Sequence, residues 1–293
     1  MFRKVAVLFI GVLIVGLLLV PHQAWAKEIK FAMSPRYANT VCFEMMSKLL
    51  QYLSEKTGQT FTQVFPKSYD DHLAMCKAGE VDVSYSNPID YIKIAPKAGT
   101  RPTGFKPLVI AVLPPPEGAE YWGIIITRSD SGITKIEDLK GKKGMYIAPS
   151  AVGGYLCQVA YLKDKGIDTK KDLDMIESPG QKQDKAVMAV YNREVDYAFV
   201  RNEAVDITKD RIDITQIKTI VETPKVPQWV IATNATVDAA LATKIQEALQ
   251  GMDKNDPAQA EILKAAKVAS WKTIADTDFD SIRTLADKTD TAW

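Results

Sequence analysis

Pro149-Ser150-Ala151-Val152-Gly153-Gly154-Tyr155 is the segment whose residue types could most directly do chemistry. A strand pattern ends before it and a helix pattern follows. A glycine-containing turn there would aim several free backbone N–H groups at one point, where the helix dipole also favours negative charge. That is an anion site. The same spacing also serves a plain strand-to-helix connection whose glycines only ease the turn. Neither the dinucleotide glycine fingerprint nor the phosphate-loop lysine motif is present. Arg201 follows an apolar strand and carries the planar donor fork that grips a carboxylate or phosphoryl group with two bonds; a solvated arginine at a strand end would read the same way. Tyr37, Tyr85, Trp122 and Trp229 could wall a ligand slot or serve as core packing. Trp122 and Trp229 flank proline-marked connectors, which favours a hinge role for them.

Histidine is nearly absent. Of two in 293 residues, His22 lies in the apolar N-terminal segment and His72 stands alone. Zinc sites built on several histidines are thereby excluded, and no pair of carboxylates gathers after the strands as an acid–base or metal site needs. A Ser-His-Asp triad needs only one histidine, but His72, between Asp71 and Leu73, reads as an exposed residue in the first turn of a helix. The expectation is a protein that binds rather than catalyses, with no metal and no cofactor.

The elements that must position these residues alternate. Short strands over residues 28–33, 61–65 and 81–85 are separated by helical patterns over 39–56 and 70–78, which Gly58 and Gly79 stop. Strand, helix, strand, helix, strand argues for an α/β fold with a parallel sheet and right-handed crossovers. In such sheets ligands bind beyond the carboxyl ends of the strands. That rule selects Ser34 and Tyr37, then Tyr85, Ser86 and Asn87, then Ser150 to Gly154, and Arg201 with Asn202. Pro114-Pro115-Pro116 and the stretch from Pro224 to Pro227 mark two connectors. Glu80-Val81-Asp82 and Glu194-Val195-Asp196 recur at the same helix-to-strand junction, which reads as two related lobes. The expected division is 27–118 with 230–293 as lobe 1 and 119–229 as lobe 2.

Arg3 and Lys4, an uncharged run to Val20, Pro21 and then Ala24-Trp25-Ala26 follow the order of a secretory signal peptide, cleaved after Ala26. Losing Arg3 and Lys4 takes the formal charge from +1 to −1, so nothing draws the chain to nucleic acid. With 46% hydrophobic and 25% charged residues, the composition is that of a globular protein, expected to be a monomer in the periplasm. Three cysteines follow the leader in an oxidising compartment, which suggests one disulfide and one leftover thiol. Cys42 and Cys76 share one half of the chain and are the expected pair, with Cys157 a small buried residue.

The chain resembles the periplasmic phosphate/phosphite/phosphonate-binding proteins of ABC importers. The likeness rests on the run from Glu80 through Ser86-Asn87-Pro88 to Tyr91, on Tyr121-Trp122-Gly123 continuing to Ile133, on Ile136 to Lys142, on Gly153-Gly154-Tyr155, and on Val195-Asp196. The resemblance implies a two-lobed periplasmic-binding-protein type II fold with a hinge between lobes, closing on a small, anionic, phosphonate- or phosphate-like ligand for delivery to a membrane permease. A sensing module for a receptor or histidine kinase, with a different ligand, is the alternative. The family carries Ser-Thr-Ser where this chain has Ala151-Val152-Gly153, and a histidine where this chain has Gln183. Those changes remove side-chain donors and leave the backbone N–H groups and Tyr155 in place.

Overall fold

The computed structural model describes residues 28–95 and 104–293; the expected signal segment and its cleavage point after Ala26 lie outside them. β1 (Ile29–Met33) leads to α1 (Asn39–Thr57), which Gly58 ends by turning left-handed at φ 72°. β2 (Phe61–Val64) precedes α2 (Tyr69–Ala78), opened by Ser68, whose hydroxyl accepts from the Asp71 N–H. β3 (Val83–Ser86) runs into α3 (Pro88–Ile94), where Asn87 caps the helix and Pro88 fills its first turn. β4 (Phe105–Val112), β5 (Glu120–Tyr121), β6 (Gly123–Arg128) and β7 (Lys143–Tyr146) follow. α4 (Cys157–Asp164) and the single-turn α5 (Thr169–Asp172) come before β8 (Asp174–Glu177), α6 (Gln183–Tyr191) and β9 (Tyr197–Arg201). β10 (Ile217–Glu222), β11 (Val226–Pro227) and β12 (Val230–Asn234) lead to α7 (Ala239–Gln250), α8 (Pro257–Ala266), β13 (Ser270–Thr273) and α9 (Asp280–Lys288).

Two sheets result. The first runs β13–β4–β12–β3–β1–β2, the second β10–β6–β9–β7–β8. β1 pairs in parallel with β2 and β3, and β7 with β8 and β9, as the strand–helix alternation predicts. Neither sheet is parallel throughout, however: β12, β4 and β13 join the first antiparallel, and β6 and β10 the second. β4 explains why alternation did not reveal this. Its Leu108-Val109-Ile110-Ala111 run is buried on both faces, so it has no period of two. The proline-marked connectors pair with each other as a two-stranded ribbon, Tyr121 opposite Val226 and Glu120 opposite Pro227.

Both faces of the first sheet are covered. Phe31, Val83, Tyr85 and Ile231 pack under α1, α7 and α8, while Ala32, Val230 and Ala232 pack under α2, α3 and α9. This layering overturns the expected disulfide. Cys42 belongs to the first layer and Cys76 to the second, with the sheet between them. A disulfide needs Cα atoms about 4.4–6.8 Å apart, and all three thiols are free and buried.

His72 is likewise buried, not exposed. α2 turns it inward, where Nδ1 meets the Ser34 hydroxyl and Nε2 meets the Ser84 hydroxyl at 3.0 Å. Two serine hydroxyls satisfy both ring nitrogens, so the neutral ring is buried without an unpaired polar atom.

Candidate functional site

The C-terminal ends of β1, β7 and β9 open onto one cleft of about 620 Å³ between the two sheets. Tyr37, Asn87, Ser150, Ala151, Val152, Gly153, Gly154, Gln183, Arg201 and Trp229 all line it. Strand ends bring most of these residues together; Gln183 comes from the start of α6 and Trp229 from just before β12.

The glycine segment begins with one wide turn of π-helix over Val152–Leu156 before α4. Its first backbone bond runs from the Leu156 N–H to the Ala151 carbonyl at 3.0 Å. The N–H groups of Val152, Gly153, Gly154 and Tyr155 precede that bond and form the donor end of the helix. Close approach requires glycine at Gly154 and favours it at Gly153. A Cβ on Gly154 would lie 2.4 Å from Ile147 Cγ1, and one on Gly153 would lie 3.0 Å from the Tyr121 ring. Behind the turn, the buried Gln158 Nε2 donates to the carbonyls of Gly153 (2.8 Å), Ile124 (3.0 Å) and Val200 (3.0 Å).

Arg201 sits at the end of β9 and is buried. Its Nη2 donates to Gln228 Oε1 at 3.1 Å, and its Nε lies 2.7 Å from Glu203 Oε2. That contact is an ion pair without hydrogen-bond alignment, since neither atom finds a hydrogen-bond partner. The guanidinium also stacks 4.1 Å from the Tyr121 ring centre. Gln183 Oε1 accepts from the Arg201 N–H at 3.0 Å, which ties α6 to the strand end. Arg201 therefore belongs both to the cleft and to the connector ribbon.

Arg36 is one of the cleft residues that strand-end reasoning passed over, although it lies between Ser34 and Tyr37, both singled out. Its guanidinium stands 4.2 Å over the Trp229 ring and 5.1 Å from the Tyr37 ring. Its Nε is buried with no hydrogen-bond partner. Tyr69 and Tyr121 also line the cleft. Burial raises both phenols far above their usual range, so both stay protonated and can donate.

Six of the expected residues are not on the cleft wall, among them Ser34 and Asn202; Asn202 donates to Glu117 Oε1 at 3.0 Å and accepts from the Trp122 N–H at 3.3 Å. Tyr85 is in the core, edge-on to Trp229 and Trp271. Ser86 is wholly buried. Trp122 packs against the core of the second sheet with Lys225 above its ring. Tyr155 stacks on Tyr146 at 4.6 Å. Asn87 lines the cleft but spends its side chain on α3, accepting from the Asp90 N–H at 2.9 Å and donating to Asp90 Oδ2 at 2.8 Å. Ser34 lies just behind, donating to the same Asp90 oxygen at 3.2 Å.

Residues 31–279 match the family described as "ABC transporter, phosphonate, periplasmic substrate-binding protein". The phosphate-import protein PhnD of Mycolicibacterium smegmatis is 23% identical over 82% of this chain and 79% of its own length. The tetrathionate sensor histidine kinase TtrS of Salmonella typhimurium is 28% identical over 80% of this chain, which spans 41% of that protein. Among solved structures, the binding protein component of an ABC phosphonate transporter from Pseudomonas aeruginosa superimposes with a TM-score of 0.72 at 18% identity, covering 90% of this chain and 87% of its own. PhnD1 from Prochlorococcus marinus, in complex with methylphosphonate, gives 0.73 at 11% identity, covering 91% and 99%. These neighbours establish the two-lobed periplasmic-binding fold. With the family pattern spanning both sheets and the cleft between them, the chain belongs to the periplasmic substrate-binding proteins of phosphonate ABC transporters.

Proposed function

We propose that the exported chain, cleaved after Ala26, captures a small oxyanion of the phosphonate or phosphate type in this cleft and presents it to an ABC permease. The observation that carries the reading is the pairing of an N–H cradle at Val152–Gly154 with Arg36, whose buried Nε has no hydrogen-bond partner, in one cleft. Loss of the family's Ser-Thr-Ser hydroxyls at Ala151, Val152 and Gly153 shifts the burden from side chains to backbone N–H groups and arginine. Lobe 1 would comprise 27–118 with 230–293 and lobe 2 would comprise 119–229, hinged at the ribbon of β5 and β11. The protein acts by closing on its ligand, as a monomer in the periplasm, and does no chemistry.

A thermal-shift series with methylphosphonate, phosphite, phosphate and sulfate tests this. A ligand at 100 times its Kd adds about 2.7 kcal/mol to stability. A stabilising oxyanion is expected, and no response to any of the four overturns the reading. The kinship with a tetrathionate sensor kinase supports a second reading, in which the closed form signals to a receptor. Ligand-dependent stimulation of a permease–ATPase complex supports import; stimulation of a kinase supports sensing.

A further inference from the structure

The cleft is electrically lopsided. Five cationic side chains line it, Arg36, Lys182, Arg201, Arg211 and Lys267, against two carboxylates, Asp184 and Glu203. Both carboxylates already face an arginine: Asp184 Oδ2 lies 3.0 Å from Arg211 Nη1 and Glu203 Oε2 lies 2.7 Å from Arg201 Nε, the second pair without an aligned hydrogen bond. Arg36, Lys182 and Lys267 have no carboxylate within ion-pair distance among the described residues, and Glu203 acts on Arg36 only from further away.

Arg36 is held more closely than the two lysines, of which only Lys267 meets a ring among the described residues, 4.7 Å from the centre of Tyr37. Two aromatic rings hold its guanidinium, and its Nε is buried without a hydrogen-bond partner. A buried donor on a permanent cation is costly until something negative reaches it. A positive group on the ligand would meet the reverse situation, five cations against two carboxylates that each already face an arginine.

We infer that the cleft discriminates among oxyanions by the charge of their substituent. It takes a phosphonate-type ligand whose substituent is neutral or anionic and rejects the same ligand carrying an ammonium group, with Arg36 as the residue that fixes the anion. The inference rests on the oxyanion reading proposed above and narrows its ligand class.

Isothermal titration of the full exported chain with propylphosphonate and 2-aminoethylphosphonate tests it, because the two match in size and differ by a methyl against an ammonium group. Propylphosphonate is expected to bind at least ten-fold tighter. In Arg36→Gln, checked for an intact melting transition, propylphosphonate binding should weaken at least ten-fold. Equal or tighter binding of 2-aminoethylphosphonate overturns the selectivity, as does binding of methylphosphonate with neither member of the pair. Unchanged propylphosphonate affinity in folded Arg36→Gln overturns the role of Arg36. Each of those results leaves the oxyanion reading standing. Failure of the wild-type protein to bind any phosphonate or phosphate overturns both.

Discussion

Asp82 and Asp196 make the same pair of hydrogen bonds in different sheets. Asp82 accepts at Oδ2 from the Lys30 N–H (3.0 Å) and donates its own N–H to the Lys30 carbonyl (2.9 Å). Asp196 does the same with Lys143, at 2.8 Å in both directions. Each aspartate closes the entry of a parallel strand onto its neighbour, β3 onto β1 and β9 onto β7. The repeated Glu-Val-Asp is thus a structural echo of one lobe in the other.

The two aspartates differ in burial, and that sets their worth. Asp82 is buried, whereas Asp196 is exposed. A hydrogen bond to a charged group contributes roughly 1.5–3 kcal/mol, less where water can replace it. Asp82→Ala should therefore cost about 1.5–3 kcal/mol in urea unfolding and Asp196→Ala about 1 kcal/mol or less. Equal losses would show that burial does not set the difference.

Gly154→Ala should destabilise more than Gly153→Ala. The new Cβ at Gly154 meets Ile147 at 2.4 Å, inside any real contact, whereas at Gly153 it meets the Tyr121 ring at 3.0 Å. Overpacking of the first kind costs roughly 1–3 kcal/mol. Adding Ile147→Ala to Gly154→Ala removes the colliding atom, so part of the loss should return. A double variant no better than Gly154→Ala alone would place the strain elsewhere.

Arg201→Ala should weaken methylphosphonate binding by about 2–5 kcal/mol, the penalty for truncating one side of a buried charge pair. The variant also strands Glu203 and Gln228, which Arg201 holds. Titration calorimetry together with a melting curve separates the effects. A lower melting point with unchanged affinity would assign Arg201 to the connector ribbon alone.

His72 and Asp90 should give opposite pH slopes. Burial lowers the His72 pKa to about 4, so the unfolded chain takes up this proton first and stability falls as pH drops from 6.5 to about 4. Burial pushes Asp90 up to about 7, so the unfolded chain releases this proton first and stability falls as pH rises from 3.8 to about 7. The two oppose each other over the shared window. Relative to wild type, Asp90→Asn should gain stability more steeply with rising pH between 4 and 6.5, and His72→Gln less steeply. Parallel slopes for all three proteins in chemical denaturation would refute the assignment.

What the sequence disclosed was periodic or punctuated. Gly58 and Gly79 end helices at the expected places because each adopts a left-handed turn. The glycine segment and Arg201 reach the cleft because strand ends do. Hidden were features set by partners distant in sequence. Trp229 comes under Arg36 only when β12 inserts between β3 and β4. His72 looks exposed in a helix that begins Tyr69-Asp70-Asp71, until Ser34, just past β1, and Ser84 of β3 face it. Two cysteines on successive helices suggest a pair, but α1 and α2 cover opposite faces of one sheet.

Gln158 has a mechanical consequence. One side-chain nitrogen grips the Gly153 carbonyl together with carbonyls of β6 and β9, so the amide turn cannot move without dragging two strands along. It behaves as the fixed jaw of a vice. Little of a ligand's grip is then spent on ordering that side, and the work of adjusting to one anion or another falls to the opposite jaw, where a single arginine rests on two aromatic plates.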